Sequence, residues 1–142
     1  MPFLRIWVHL VWTTKDRLPL LTKNIRQQVF DHIRKYGASK SIHINLINGH
    51  NEHVHALVSL QADQNIATIM NLLKGESSHW INQKQLTSIH FGWQDEYFAA
   101  SVSHSQIDKV QNYIRKQEKH HAVRTWEEEY QEFFTKYKFA KG

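Results

Sequence analysis

Two histidines stand two residues apart in a stretch that otherwise reads as half a strand: Glu52-His53-Val54-His55-Ala56-Leu57-Val58-Ser59-Leu60. A period of two is the mark of a β-strand with unlike faces. Val54, Ala56, Val58 and Leu60 make one face, apolar throughout, while His53 and His55 share the other. Such a strand belongs in a sheet that buries its apolar face and leaves an imidazole-bearing face for something else. Two imidazoles on one rigid strand also form a two-point grip for a metal ion. A chain with 11 His in 142 residues holds about one His-x-His pair by chance. The pair therefore gains meaning only from what the rest of the chain sets opposite it.

The length suits one domain, expected over residues 1–142, and a hydrophobic share of 41% with five Trp argues for a packed core. The absence of Cys excludes disulfides, thiolate metal sites and cysteine nucleophiles. No apolar run approaches a membrane span, and residues 3–12, apolar but broken by Arg5 and His9, lack the basic start and cleavage site of a signal peptide. The expectation is a cytoplasmic protein with no membrane partner. Net charge is +5, with eight Lys and Arg against three Asp and Glu in residues 1–60 and five against two in residues 105–124. That distribution suits a polyanion such as nucleic acid.

Read in order, residues 3–14 predict a strand with Leu4, Ile6, Val8, Leu10 and Trp12 on its apolar side and Arg5, Trp7, His9, Val11 and Thr13 on a mixed one. A helix capped by Thr22 or Asn24 and ended by Gly37 follows, with Ile25, Val29, Ile33 and Tyr36 on one side. Lys23, Arg26, Arg34 and Lys35 lie off that stripe. Residues 40–47 predict a strand with Ile42, Ile44 and Leu46 inward, joined by a turn at 48–51 to the His53 strand as an antiparallel hairpin. Residues 65–84 predict a helix interrupted at Gly75, and residues 97–103 another strand. A helix over 105–121 carries a capping-box pattern at Ser105 and Asp108, with Tyr113, Gln117 and His120 along one stripe. A last helix over 125–137 begins Glu127-Glu128-Glu129, acids that favour a helix N-terminus and read as structural.

The order β-α-β-β-α-β followed by two helices predicts an α+β fold, a ferredoxin-like antiparallel sheet with its first and third strands central. Two helices cover the apolar face. The other face carries His9, His53 and His55 and is left for the added C-terminal helix with Tyr113 and Gln117.

His53-Val54-His55 followed by Tyr113-Ile114-Arg115-Lys116-Gln117 resembles the IS200/IS605-type tyrosine transposases, of the HUH endonuclease class. Val8-His9-Leu10-Val11-Trp12-Thr13-Thr14-Lys15, Leu73-Lys74-Gly75, Tyr97-Phe98-Ala99-Ala100-Ser101-Val102-Ser103 and His120-His121 fit the same pattern in the same order. The resemblance implies a nuclease and strand transferase that cleaves and rejoins single-stranded DNA near hairpins. It implies a catalytic quartet of Tyr113 as nucleophile, joined to a 5′-phosphate, and His53, His55 and Gln117 as ligands of Mg²⁺ or Mn²⁺. It also implies a homodimer whose subunits share active sites.

The chemistry agrees with the residue types. Phosphodiester cleavage needs charge neutralised on phosphate and an in-line nucleophile, and a metal ion supplies the first. A phenol with an ordinary pKa of about 10 needs activation to attack, and as an ester it leaves readily, which suits rejoining. Lys15, Arg17, Arg34, Lys35 and Lys74 are candidate phosphate contacts. Three other readings compete: a catalytically silent hairpin-binding module on the same fold, a host-retained transposase acting on chromosomal palindromes, and a zinc site made by His53, His55 and a third His such as His9.

Overall fold

The structure, a computed structural model, describes residues 2–121 and 124–137; the ends of the domain expected over 1–142 and residues 122–123 lie outside them. Four strands form one antiparallel sheet in the order β2-β3-β1-β4: β1 (Trp7–Thr14), β2 (His43–Gly49), β3 (His53–Ser59) and β4 (Trp93–Val102). Helices α1 (Lys23–Ser39) and α2 (Ile66–Gln83) cover one face. Beneath them Val8, Leu10, Trp12, Val54, Ala56 and Val58 pack against Val29, Phe30, Ile33, Met70 and Leu73. This is the expected ferredoxin-like arrangement, with β1 and β3 central.

The opposite face receives the C-terminal helices α3 (Ile107–Arg115), α4 (Gln117–His121) and α5 (Trp126–Tyr137). Leu57, Val102 and Ile114 form one small core there, and Val11, Phe98 and Trp126 another. The antiparallel register sets His55 opposite Val11 and His53 opposite Thr13 on adjacent central strands.

Local departures from the sequence reading have identifiable causes. Strand β1 starts at Trp7, not at residue 3, because Trp7 pairs with Ser59 on one side and Val102 on the other, the last residues of β3 and β4. Helix α1 runs through Gly37 to Ser39. Gly37 serves close approach, since a Cβ there would lie 2.9 Å from Ile44 Cδ1. Gly75 sits inside an unbroken α2. Arg26 is buried and donates to Leu21 O at 3.2 Å and Asn51 Oδ1 at 3.0 Å, tying α1 to the β2–β3 turn. The capping box forms not at Ser105 but at Thr125: Glu128 N donates to Thr125 Oγ1 at 3.2 Å, and Thr125 N donates to Glu128 Oε1 at 3.3 Å. Residues His104–Gln106 form a 3₁₀ turn ahead of α3.

A bulge in β2 has the largest consequence. The register shifts between Ile44, opposite Val58, and Leu46, opposite Leu57. Ile44 and Ile47 therefore point under α1, while Leu46 turns to the other face. That corrects the expected alternation of Ile42, Ile44 and Leu46. The same shift brings Asn48 to the face where α3 lies, beside Asn45, which the alternation ahead of the bulge already puts there. Gln111 Nε2 donates to Asn45 Oδ1 at 2.9 Å, and Asn48 Nδ2 donates to the carbonyls of Ile114 at 2.9 Å and Arg115 at 3.3 Å.

Candidate active site

The site is built where β3 passes under the break between α3 and α4. Helix α3 stops at Arg115, and Asn48 takes up two of the carbonyls its end leaves without intrahelical donors. The chain restarts as α4 at Gln117. Tyr113 and Gln117 stay linked across the break, because Gln117 Nε2 donates to Tyr113 O at 3.2 Å. That bond turns Gln117 Oε1 toward β3, where it lies 2.9 Å from His53 Nε2.

His53, His55 and Gln117 are wholly buried. Each imidazole is held from behind. Glu52 Oε1 lies 2.8 Å from His53 Nδ1, and His9 Nε2 lies 2.9 Å from His55 Nδ1. The tautomers in which both Nδ1 atoms donate turn both Nε2 atoms to the same space, the arrangement that orients metal-binding histidines; His55 Nε2 has no hydrogen-bond partner there among the described residues, and His53 Nε2 meets Gln117 Oε1. Burial pushes the His55 imidazole down to about 4, so it is neutral at physiological pH with its lone pair available. His9 meets the Nδ1 edge of His55, away from this space, so a triad of His9, His53 and His55 does not form.

A residue assigned to helix capping by sequence enters the same space. Glu129 of α5 is buried, with Oε1 3.0 Å from His55 Nε2 and Oε2 2.6 Å from His121 Nε2 and 3.7 Å from His53 Nε2. The Tyr113 hydroxyl donates to Glu129 Oε1. Burial alone would raise the Glu129 carboxyl; the imidazoles of His121 and His55 outweigh it and hold the group well below the usual carboxylate range. Burial, reinforced by the Glu129 carboxylate, pushes the Tyr113 phenol well above its ordinary value. Trp126 stacks on His53 with ring centroids 4.0 Å apart and planes at 14°. The signal for Glu129 was present in the sequence: at i, i+3 and i+4, Trp126, Glu129 and Tyr130 share a helix face that Glu127 and Glu128 do not.

These groups suit a divalent ion. His53, His55 and Glu129 each offer a ligand atom within 4.8 Å of the others. His55 Nε2 and Glu129 Oε2 are buried without a hydrogen bond of acceptable geometry among the described residues. Bare donors converging on one point are what a cation satisfies.

A cavity of about 560 Å³ opens beside Tyr113 between the end of β4 and the start of α3, lined by Ser101, Ser103, Gln106, Lys109 and Val110. The five basic residues singled out by sequence do not gather there. Arg17 pairs with Glu127 at 2.6 Å and lies 4.3 Å over the Tyr130 ring, and Lys74 Nζ donates to the carbonyls of Gln94 and Asp95. Arg34 and Lys35 are exposed on α1, across the sheet from Tyr113, and Lys15 lies in the turn after β1.

A ferredoxin-like sheet whose central strand presents two buried imidazoles to a tyrosine-bearing helix defines a recognisable kind of protein, and comparison with known proteins identifies it. The IS200-like transposase family matches residues 3–117, and the chain belongs to that family. It is 27% identical over 114 residues to the ISDra2 transposase TnpA of Deinococcus radiodurans, covering 77% of this chain and 81% of the relative. Its fold matches a crystal structure described as a transposase from D. radiodurans R1 with a TM-score of 0.65 at 20% identity, covering 82% of this chain and 93% of that one. It also matches the structure of a REP-associated tyrosine transposase bound to a REP hairpin, with a TM-score of 0.64 at 16% identity, covering 85% and 72%. Among the described residues no helix is long and apolar enough to cross a membrane.

Proposed function

We propose that this transposase cuts and rejoins single-stranded DNA beside a hairpin, with Tyr113 as nucleophile and Mg²⁺ or Mn²⁺ held by His53, His55 and Gln117. The observation that carries the reading is that one helical stretch brings both partners to the histidine strand: Gln117 Oε1 lies 2.9 Å from His53 Nε2, and the Tyr113 ring meets the His55 ring edge-on with centroids 5.3 Å apart. When bound, the ion would neutralise charge on the scissile phosphate and the departing oxygen. Tyr113 Oη bonds to phosphorus as the P–O3′ bond breaks. The phenolic proton leaves Tyr113, and the departing strand ends in a 3′-hydroxyl. Attack by a 3′-hydroxyl on the phosphotyrosine restores a phosphodiester and releases the phenol, so no bond energy is lost to water. Glu129 keeps Tyr113 protonated in the arrangement described, so engaging the substrate must draw that negative charge elsewhere.

The cavity beside Tyr113 gives a strand its approach, and Lys109 on its rim is the phosphate contact we favour there. The hairpin held by the REP-associated relative supports a hairpin DNA partner for this chain, as does the net charge of +5. We place the activity in the cytoplasm, in one domain over residues 1–142. The quartet meets within a single chain, so a homodimer sharing sites would have to exchange α3 between copies.

The test is a nicking assay on a pool of single-stranded hairpins with random flanks and Mn²⁺ or Mg²⁺. A covalent protein–DNA adduct is expected that requires the metal and is lost in Tyr113→Phe. Tight, salt-sensitive hairpin binding without any adduct would replace this reading with the silent binding module.

A further inference from the structure

We infer that Glu129 is a ligand of the metal ion, giving the site a donor set of two imidazoles, one amide oxygen and one carboxylate. The inference rests on the metal-site reading above and goes beyond the family: the family match ends at residue 117, and Glu129 comes from α5, outside it.

The spacing of the donor atoms carries the argument. Ligands about 2.1 Å from a divalent ion and at right angles to one another are about 3.0 Å apart. His53 Nε2 and Gln117 Oε1 are 2.9 Å apart, His55 Nε2 and Glu129 Oε1 3.0 Å, and His53 Nε2 and Glu129 Oε2 3.7 Å. Glu129 Oε1 thus stands at right-angle ligand spacing from His55 Nε2, and the 3.7 Å between Oε2 and His53 Nε2 is what donors about 2.1 Å from one ion span at a wider angle, about 120°. The His55 Nε2 and Glu129 Oε2 atoms come close to neighbours without hydrogen-bond geometry, so they are arranged around a point, not along a bond.

The position of Glu129 is enforced from several sides. Trp126, one turn earlier, stacks on His53. The Thr125–Glu128 capping box fixes where α5 begins, and Arg17 anchors Glu127 and the Tyr130 ring. His121 Nε2 packs 2.6 Å from Oε2 without hydrogen-bond geometry, so it closes the site on that side and leaves the oxygen's bonding capacity unspent. Chemically the carboxylate resolves a mismatch. Two imidazoles and an amide are neutral and nitrogen-rich, a poor set for hard Mg²⁺ or Mn²⁺. An added carboxylate brings a negative oxygen donor and completes a two-histidine, one-carboxylate set, which holds first-row divalent ions with positions left open.

The experiment is Mn²⁺ binding to the DNA-free protein, followed by loss of the free-ion electron paramagnetic resonance signal. The variants are Glu129→Gln, Glu129→Asp, His53→Ala and, as a control exposed on α1 across the sheet, Asp31→Asn. Loss of an outer-shell partner typically weakens metal affinity 10–100-fold; loss of a ligand should do at least as much. Glu129→Gln is therefore expected to weaken Mn²⁺ tenfold or more, with Glu129→Asp in between and Asp31→Asn unchanged. If Glu129→Gln fails to fold, Glu129→Asp carries the test, since it keeps the charge and withdraws the oxygen. Unchanged or tighter binding in the Glu129 variants, with binding lost in His53→Ala, overturns the inference and leaves the His53, His55 and Gln117 site standing. A wild-type protein that binds no Mn²⁺ overturns both.

Discussion

Replacing Trp126 with Ala should release α5 from the sheet without unfolding the protein. The indole is buried, stacked at 4.0 Å on His53 and packed with Val11 and Phe98. Truncating a buried Trp costs about 3–5 kcal/mol. Its Nε1, however, is buried with no hydrogen-bond partner among the described residues, and removing that unsatisfied group returns about 1–3 kcal/mol. Central values of about 4 and about 2 kcal/mol leave a net loss of about 2 kcal/mol. Helix α5 has 12 residues, a length at which isolated helices are marginal, so its order depends on docking. The large core beneath α1 and α2 contains no residue of α5. The loss should therefore appear as local opening. At about 1.4 kcal/mol per decade, amide exchange protection over residues 127–132 should fall roughly 30-fold, with β1 and β3 unchanged. Native-state hydrogen exchange read by mass spectrometry measures both. A parallel loss in β1 and β3 would refute local docking, and unchanged protection in α5 would show that the stack on His53 contributes nothing.

Three further outcomes follow from the same geometry. Asn48→Ala strips the donor from the Ile114 and Arg115 carbonyls and should cost about 1–3 kcal/mol in urea denaturation, with a fall in adduct formation as Tyr113 and Gln117 lose register; an unchanged adduct rate would separate the helix break from catalysis. His55 titrates near 4 in the fold against 6.5 unfolded, so above pH 6.5 it contributes no pH dependence. Between 6.5 and 4 the unfolded chain takes up a proton that the fold refuses, and stability should drop by about 2 kcal/mol at pH 5; a flat urea midpoint from pH 7.5 to 5 would contradict this. Lys109→Ala should lower the salt slope of hairpin binding by about one, whereas Lys74→Ala, whose ammonium is already bound to the Gln94 and Asp95 carbonyls, should leave the slope alone; filter binding across a salt series distinguishes them.

The parts of this site that sequence made legible are those written in one local period. His53 and His55 share a face because a strand alternates, and Tyr113 and Gln117 share a stripe because a helix turns every 3.6 residues; both survive the break at Lys116 because Gln117 bonds back to Tyr113 O. What period alone cannot place is anything set by one extra residue or by a partner far along the chain. The β2 bulge adds one residue, and everything after it changes face: Leu46 leaves the α1 side, and Asn48 arrives where it can hold the end of α3. Glu129 shows the second case. Acids in a first helical turn suit the helix dipole wherever the helix lies, and that local argument fits Glu127 and Glu128, which are exposed. It fails for Glu129 because Trp126 decides which side of α5 turns inward, and the side that buries Trp126 carries Glu129 with it, i to i+3, to the imidazoles of β3. A carboxylate forced into a core by its helix must find partners there. It finds two histidines, a phenol and His121, which is why a residue that reads as a cap becomes the most strongly perturbed acid in the site.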